Sequence, residues 1–160
     1  MTAPIRINTS LIIRKAVRED LPALMVLLKA LFSIEEDFVF DEEKLRRGLS
    51  LMIDGYGRHR CMLVAEFAGE VVGMCSVQVL ISTAEGREAA LVEDVVVRED
   101  CRGRGIGATL MDALGKWAGE RGISRMQLLA DRQNKVGADF YKRQGWHTTQ
   151  LICLRKLLNE

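Results

Sequence analysis

Two acids, Glu93 and Asp94, stand side by side in the apolar run Leu91-Val92-Glu93-Asp94-Val95-Val96-Val97, and a basic, glycine-rich segment, Arg102-Gly103-Arg104-Gly105-Ile106-Gly107, follows shortly after. A carboxylate in a buried strand is costly unless it has a partner or a task, which marks the pair as candidate functional groups. The second segment reads as a turn delivering a helix N-terminus, where free backbone N–H groups and the helix dipole favour a bound phosphate. Glycine suits such a turn because a side chain would hold the ligand away from the amides, and because the turn is expected to visit positive φ. Arg102 and Arg104 add charge to the same cradle. A strand, a flexible turn and a helix without a ligand would use the same letters, but the apolar strand before and the helical pattern after favour a pyrophosphate site.

The elements that must position these residues follow from periodicity. Leu11 to Val17 has the apolar content of a strand, and Asp20, a plausible cap, precedes Leu21, Leu24, Leu27, Leu28 and Leu31 at helical spacing. A second helix is predicted from near Asp41, with Leu45, Leu49, Met52 and Ile53 on one side, ending before Gly55 and Gly57. Cys61 to Phe67 and Val71 to Leu80 read as strands joined by a short hairpin across Ala68-Gly69-Glu70. A polar turn over 82–88, containing Gly86, leads into a strand from Ala89 to Val97. Ile106, Leu110, Met111, Leu114, Trp117 and Ala118 then make a helix of about three turns, and Met126 to Ala130 a compact strand. Strand, helix, strand is the unit that joins parallel strands, and phosphate sites lie at the carboxyl ends of such strands. A last helix is expected from about Asn134 to Arg143, stopped by Gly145, with a closing strand from Trp146 to Leu154.

The chain has 160 residues, 48% hydrophobic and 28% charged, with a formal charge of +1. This suits one globular domain over 1–160 and gives no global basic field for nucleic acid. Cys61, Cys75, Cys101 and Cys153 show no CxxC pair, so buried, reduced thiols are expected rather than disulfides or zinc. His59 and His147 have no metal-ligand spacing, and no metal is expected. The longest apolar stretch, Leu21 to Leu28, falls short of the roughly 20 residues of a membrane span. With no signal-peptide pattern either, a cytoplasmic location is expected.

The arrangement resembles the GNAT superfamily of acetyl-CoA-dependent N-acetyltransferases over nearly the whole chain. Its (Q/R)xxGx(G/A) pattern is met by Arg102, Gly105 and Gly107, and a second signature, Asn followed by Tyr at i+7 and Gly at i+11, by Asn134, Tyr141 and Gly145. Gly137 stands where alanine is commoner and Trp146 where phenylalanine is usual, neither placed at the chemistry. The resemblance implies an α/β (α+β) fold with a mixed, mainly antiparallel central sheet, one splayed parallel strand pair and helices on both faces. It implies acetyl-CoA in a wedge between the strands around Val97 and Leu129. There, pantetheine pairs with main-chain groups of Val95 and Val97, the pyrophosphate meets the amides of Arg102, Gly103, Arg104, Gly105, Ile106 and Gly107, and Asn134 lies beside the pantetheine arm.

Within that frame Tyr141 is the candidate general acid, since a phenol of reference pKa near ~10 can protonate a thiolate at neutral pH. Its other reading is an amphipathic aromatic closing the helix. Glu93 is the candidate base, and Asp94 either binds the acceptor or acts as a structural hydrogen-bond acceptor. Adjacent strand residues face opposite sides, so both acids reach one site only if a bulge reorients the strand. The N–H of Val95 is the candidate stabiliser of the carbonyl oxygen. The Glu-Asp pair also looks like that of the polyamine acetyltransferases of the superfamily. Glu36, with Glu35 and Asp37, lies in a connector that would suit a cationic amine or would be a solvated loop. The acceptor is left open among polyamine, aminoglycoside, amino acid derivative and protein amine, and a dimer is common in the family. Two rivals are a nicotinamide-dinucleotide fold, formally matched by Gly103, Gly105 and Ala108 with Asp131, and a non-catalytic acyl-CoA-binding or regulatory module.

Overall fold

The turn at Ala68-Gly69 organises the centre of the fold. In the computed structural model of the protein, which describes residues 10–34, 39–55, 57 and 59–158, these two residues take φ of 53° and 83°, as a two-residue hairpin loop matching strand twist requires. They join β2 (Arg60–Phe67) to β3 (Glu70–Ser82) in an antiparallel pair. β1 (Leu11–Lys15) pairs antiparallel with β2, β4 (Arg87–Val97) antiparallel with β3, and β5 (Met126–Leu128) parallel with β4. The sheet order is β1-β2-β3-β4-β5. The mixed, mainly antiparallel sheet is therefore as expected, with β5 ending at Leu128 rather than Ala130. One parallel pair is not a doubly wound parallel sheet, and the nicotinamide-dinucleotide reading falls with it.

The period of two along each strand divides the core between two faces. Met62, Val64, Met74 and Val96 pack with Leu24, Leu27 and Leu28 of α1 (Leu21–Phe32) and Leu49 and Ile53 of α2 (Glu42–Asp54). α2 begins where Asp41 Oδ1 accepts the N–H of Lys44 at 3.0 Å. The interleaved residues of β2 and β3 face α3 (Ile106–Gly119), which buries Leu110, Leu114 and Trp117. A Cβ at Gly73 would lie 3.2 Å from Leu110 Cδ1, so glycine lets this helix approach the sheet closely. Cys61 and Cys75 lie in the same layer, and burial pushes both thiols up, Cys75 to about 12. Cys101 is buried too, whereas Cys153 is exposed, against the expectation for that residue.

Asp20 does not cap α1 with its side chain. Its carboxylate accepts from Arg14 at 2.8 and 2.9 Å and from the N–H of Val17 at 2.8 Å, closing the short 3-10 turn Arg18–Asp20. Arg14 also donates to Glu66 of β2 at 2.9 Å. The Arg14 hydrogen bond holds the Asp20 carboxyl below its ordinary range against the opposing effect of burial. Its stabilisation is therefore complete above the unfolded value near ~4 and fades as pH falls toward the folded one. Asp20→Asn is expected to lower stability at pH 7 by about 1.5–3 kcal/mol, the scale of one charge-assisted hydrogen bond, and by less at pH 3. Urea midpoints at the two pH values check this, and equal losses at both would refute it.

Contacts divide the chain into two units with the boundary between Leu128 and Leu129. The second contains α4 (Lys135–Arg143), stopped as expected near Gly145, whose φ is 82°. The closing strand expected from Trp146 to Leu154 does not form. Its apolar residues Leu151, Ile152 and Leu154 are 87%, 63% and 87% exposed. Apolar letters make a strand only when a neighbouring edge takes up its N–H and C=O groups, and among the described residues no strand pairs with this segment.

Candidate active site

β4 changes register midway. Ser76 pairs with Glu93 and Met74 with Val96, so Asp94 and Val95 together stand opposite Cys75. This is a β-bulge, the feature that a site shared by both acids would require. Asp94 takes φ 50°, a region that aspartate enters more readily than most residues with a Cβ.

The bulge switches the edge that alternate main-chain groups face. Ala90 donates its N–H at 2.9 Å to Arg125 O, beside β5, whereas Arg98 donates at 2.7 Å to Val72 O in β3. In an unbroken strand, residues an even number apart would face the same edge. The extra residue puts these two on opposite edges, and by alternation the main-chain groups of Val95 and Val97 face away from β3. Pairing with β5 ends at Val92 and Leu128, so the edge from Glu93 to Val97 continues past its partner.

The turn after β4 has the conformation expected of it. Gly103 and Gly105 take φ of 73° and 78°, and a Cβ at either would meet nothing within 4 Å. The glycines therefore serve the backbone, and the space above the turn is open. Among the described residues, no side-chain cap hydrogen bond is made at the N-terminus of α3. The two arginines do more than add charge: Arg102 Nε donates to Val97 O at 2.9 Å, and Arg104 lies 5.9 Å from the Phe67 ring centroid. Both remain exposed.

The acids separate. Glu93 is exposed, which removes burial as the reason to single it out. Asp94 is half-buried, with Oδ2 at 3.3 Å from Ser76 Oγ, the same hydroxyl that lies 3.1 Å from Glu93 O. Ser76 is 2% exposed. Sequence reading passed over it; its only signal was a lone hydroxyl in the apolar run from Val71 to Val77. Glu36, Glu35 and Asp37 lie outside the described residues.

In the second unit, Asn134 Oδ1 accepts the N–H of Gly137 at 2.9 Å and caps α4. A Cβ at position 137 would fall 2.8 Å from Asn134 Nδ2, so the glycine in place of alanine accommodates the folded-back side chain. Tyr141 is half-buried, its ring edge-on to Phe140 at 5.2 Å and to Trp146 at 6.0 Å between centroids. Trp146 packs against the ring of the candidate acid.

An acetyltransferase fold is the class that this sheet, turn and helix define. Residues 23–146 match the model of the acetyltransferase (GNAT) family, and the chain belongs to that family. It is 30% identical over 159 residues to the thialysine N-epsilon-acetyltransferase of Sus scrofa, covering 87% of this chain and 91% of that protein. An uncharacterized N-acetyltransferase of Methanocaldococcus jannaschii is 34% identical over 90 residues; the match spans 56% of this chain and 40% of the longer relative. Among solved structures, glucosamine-6-phosphate N-acetyltransferase from Arabidopsis thaliana superposes with a TM-score of 0.72 at 24% identity, over 94% of this chain and 99% of that one. The protein is accordingly an acyl-CoA-dependent acetyltransferase. No described helix is long and apolar enough to cross a membrane.

Proposed function

We propose that the protein transfers the acetyl group of acetyl-CoA directly to the primary amine of a small cationic molecule. The observation that carries this is the outward-facing main chain of Val95 and Val97 on an edge that has outrun β5, ending at an uncapped helix N-terminus. Such an edge accepts an extended amide-containing chain as it would a strand, and such a terminus accepts a diphosphate. The residues present therefore fit the donor. Val95 and Val97 would hold the pantetheine arm, and the amides from Arg102 through Gly103, Arg104, Gly105, Ile106 and Gly107 the pyrophosphate. Arg102 would release Val97 O when the edge is taken up. Asn134, on this reading, lies beside the same arm.

Acetyl-CoA supplies an activated thioester; the chain must orient it and manage two protons. The Val95 N–H stabilises charge growing on the carbonyl oxygen. Tyr141 keeps a proton at its phenol oxygen for the departing thiolate, since a phenol remains protonated at neutral pH. Glu93, exposed and ionisable, takes the proton of the incoming ammonium, directly or through water. The thialysine relative supports a small primary amine as acceptor, and acidic Glu93 and Glu36 suit a cationic one. A cytoplasmic site of action fits this chemistry.

Coenzyme A at 100 times its Kd is expected to stabilise the folded chain by about 2.7 kcal/mol, read as a rise in Tm. Thiol release from acetyl-CoA across a panel of thialysine, polyamines, aminoglycosides and an N-terminal peptide is expected to single out a small amine. No Tm shift at saturating ligand would defeat the donor reading. A shift with no turnover on any amine would favour the non-catalytic module instead.

A further inference from the structure

We propose that Ser76 is a positioning residue that, with Asp94, locks the register of the second half of β4; the consequence for donor binding rests on the function proposed above. A residue with a Cβ in the left-handed region carries a local cost, so the bulge needs something to hold it. Without it β4 would slip by one residue, which turns every subsequent group to the other edge, and Val95 and Val97 would point their main-chain groups at β3. The Ser76 hydroxyl opposes this through the carbonyl that precedes the strained residue and through that residue's own carboxylate. Its single proton lies between Glu93 O at 3.1 Å and Asp94 Oδ2 at 3.3 Å. At 2% exposure the hydroxyl has strong reason to keep partners, since buried polar groups are costly when unpaired, and a slipped strand would take Asp94 away from it. Asp94 thereby becomes the structural hydrogen-bond acceptor of the two roles the sequence left open, rather than a contact for the amine.

The test uses the full chain with coenzyme A as probe, comparing Ser76→Ala, Asp94→Ala and Asp94→Asn by calorimetric Kd and by amide hydrogen exchange over Val95 to Arg98. Loss of the clamp is expected to weaken coenzyme A binding about tenfold in both alanine variants, the effect of one hydrogen bond. It is also expected to move protection onto the Val95 and Val97 amides as they turn to β3. Asp94→Asn keeps an oxygen for Ser76 and tolerates the φ, so it should bind and exchange like the parent. Parental affinity and exchange in both alanine variants, or an asparagine variant as impaired as the alanine one, would overturn the clamp. Should the alanine variants not fold, Asp94→Gly decides against Asp94→Asn: glycine accepts the φ but offers no oxygen, and equal coenzyme A binding by the two would overturn the proposal. A parent chain that bound no coenzyme A would sink the donor reading alone, because the exchange pattern judges the register without it.

Discussion

Tyr141→Phe is expected to lower turnover by about 10²–10⁴-fold, the usual contribution of a positioned general acid, with acetyl-CoA affinity nearly unchanged. The substitution removes one oxygen and leaves the ring that packs edge-on against Phe140 and Trp146. A fall in kcat with an unchanged Kd for acetyl-CoA therefore reads the proton and not the packing. Steady-state kinetics with the best amine of the panel, beside calorimetry on both proteins, make the measurement. Unchanged turnover would return Tyr141 to its other reading, an aromatic that closes α4.

Gly105→Val is expected to abolish the Tm rise produced by coenzyme A. Gly105 sits at φ 78° at the N-terminus of α3, where a β-branched residue is strained by about 1–3 kcal/mol. Relief of that strain would rotate the amides that face the open space over the turn. Gly86→Val supplies the control: Gly86 also has positive φ, 63°, but lies in the turn between β3 and β4. Both variants should lose stability, and only Gly105→Val should lose the ligand response. A full coenzyme A response in Gly105→Val would remove this turn from the donor site.

Much of this was open to reading because it depended on neighbours in the chain. The short hairpin after Phe67, the helix start near Asp41 and the glycines of the phosphate turn are local conformational requirements, and local requirements show in local letters. The bulge at Asp94 was legible only as a condition: two adjacent acids cannot share one face of a regular strand, so a shared site would require one. Its partner Ser76 was not foreseen, because which β3 residue faces the bulge depends on a register that no spacing within β4 contains. Asp20 misled in a similar way. An aspartate before a leucine-rich helix looks like a cap, but the turn after β1 folds it back on Arg14, and its carboxylate takes up that guanidinium and the Val17 N–H instead of helix amides.

The apolar residues after Trp146 failed as a strand prediction on the same ground, since a strand is a relation between two segments. Sequence alone determined the order of the elements through α4, the conformation of the glycine turn and membership of a family whose signatures are contiguous. Only the tertiary structure decided that pairing of β4 with β5 ends at Val92 and that one extra residue turns Val95 and Val97 to the edge away from β3. Main-chain hydrogen bonds between strands carry no side-chain letter, so where they end and which way they point is settled by packing and register rather than by residue type.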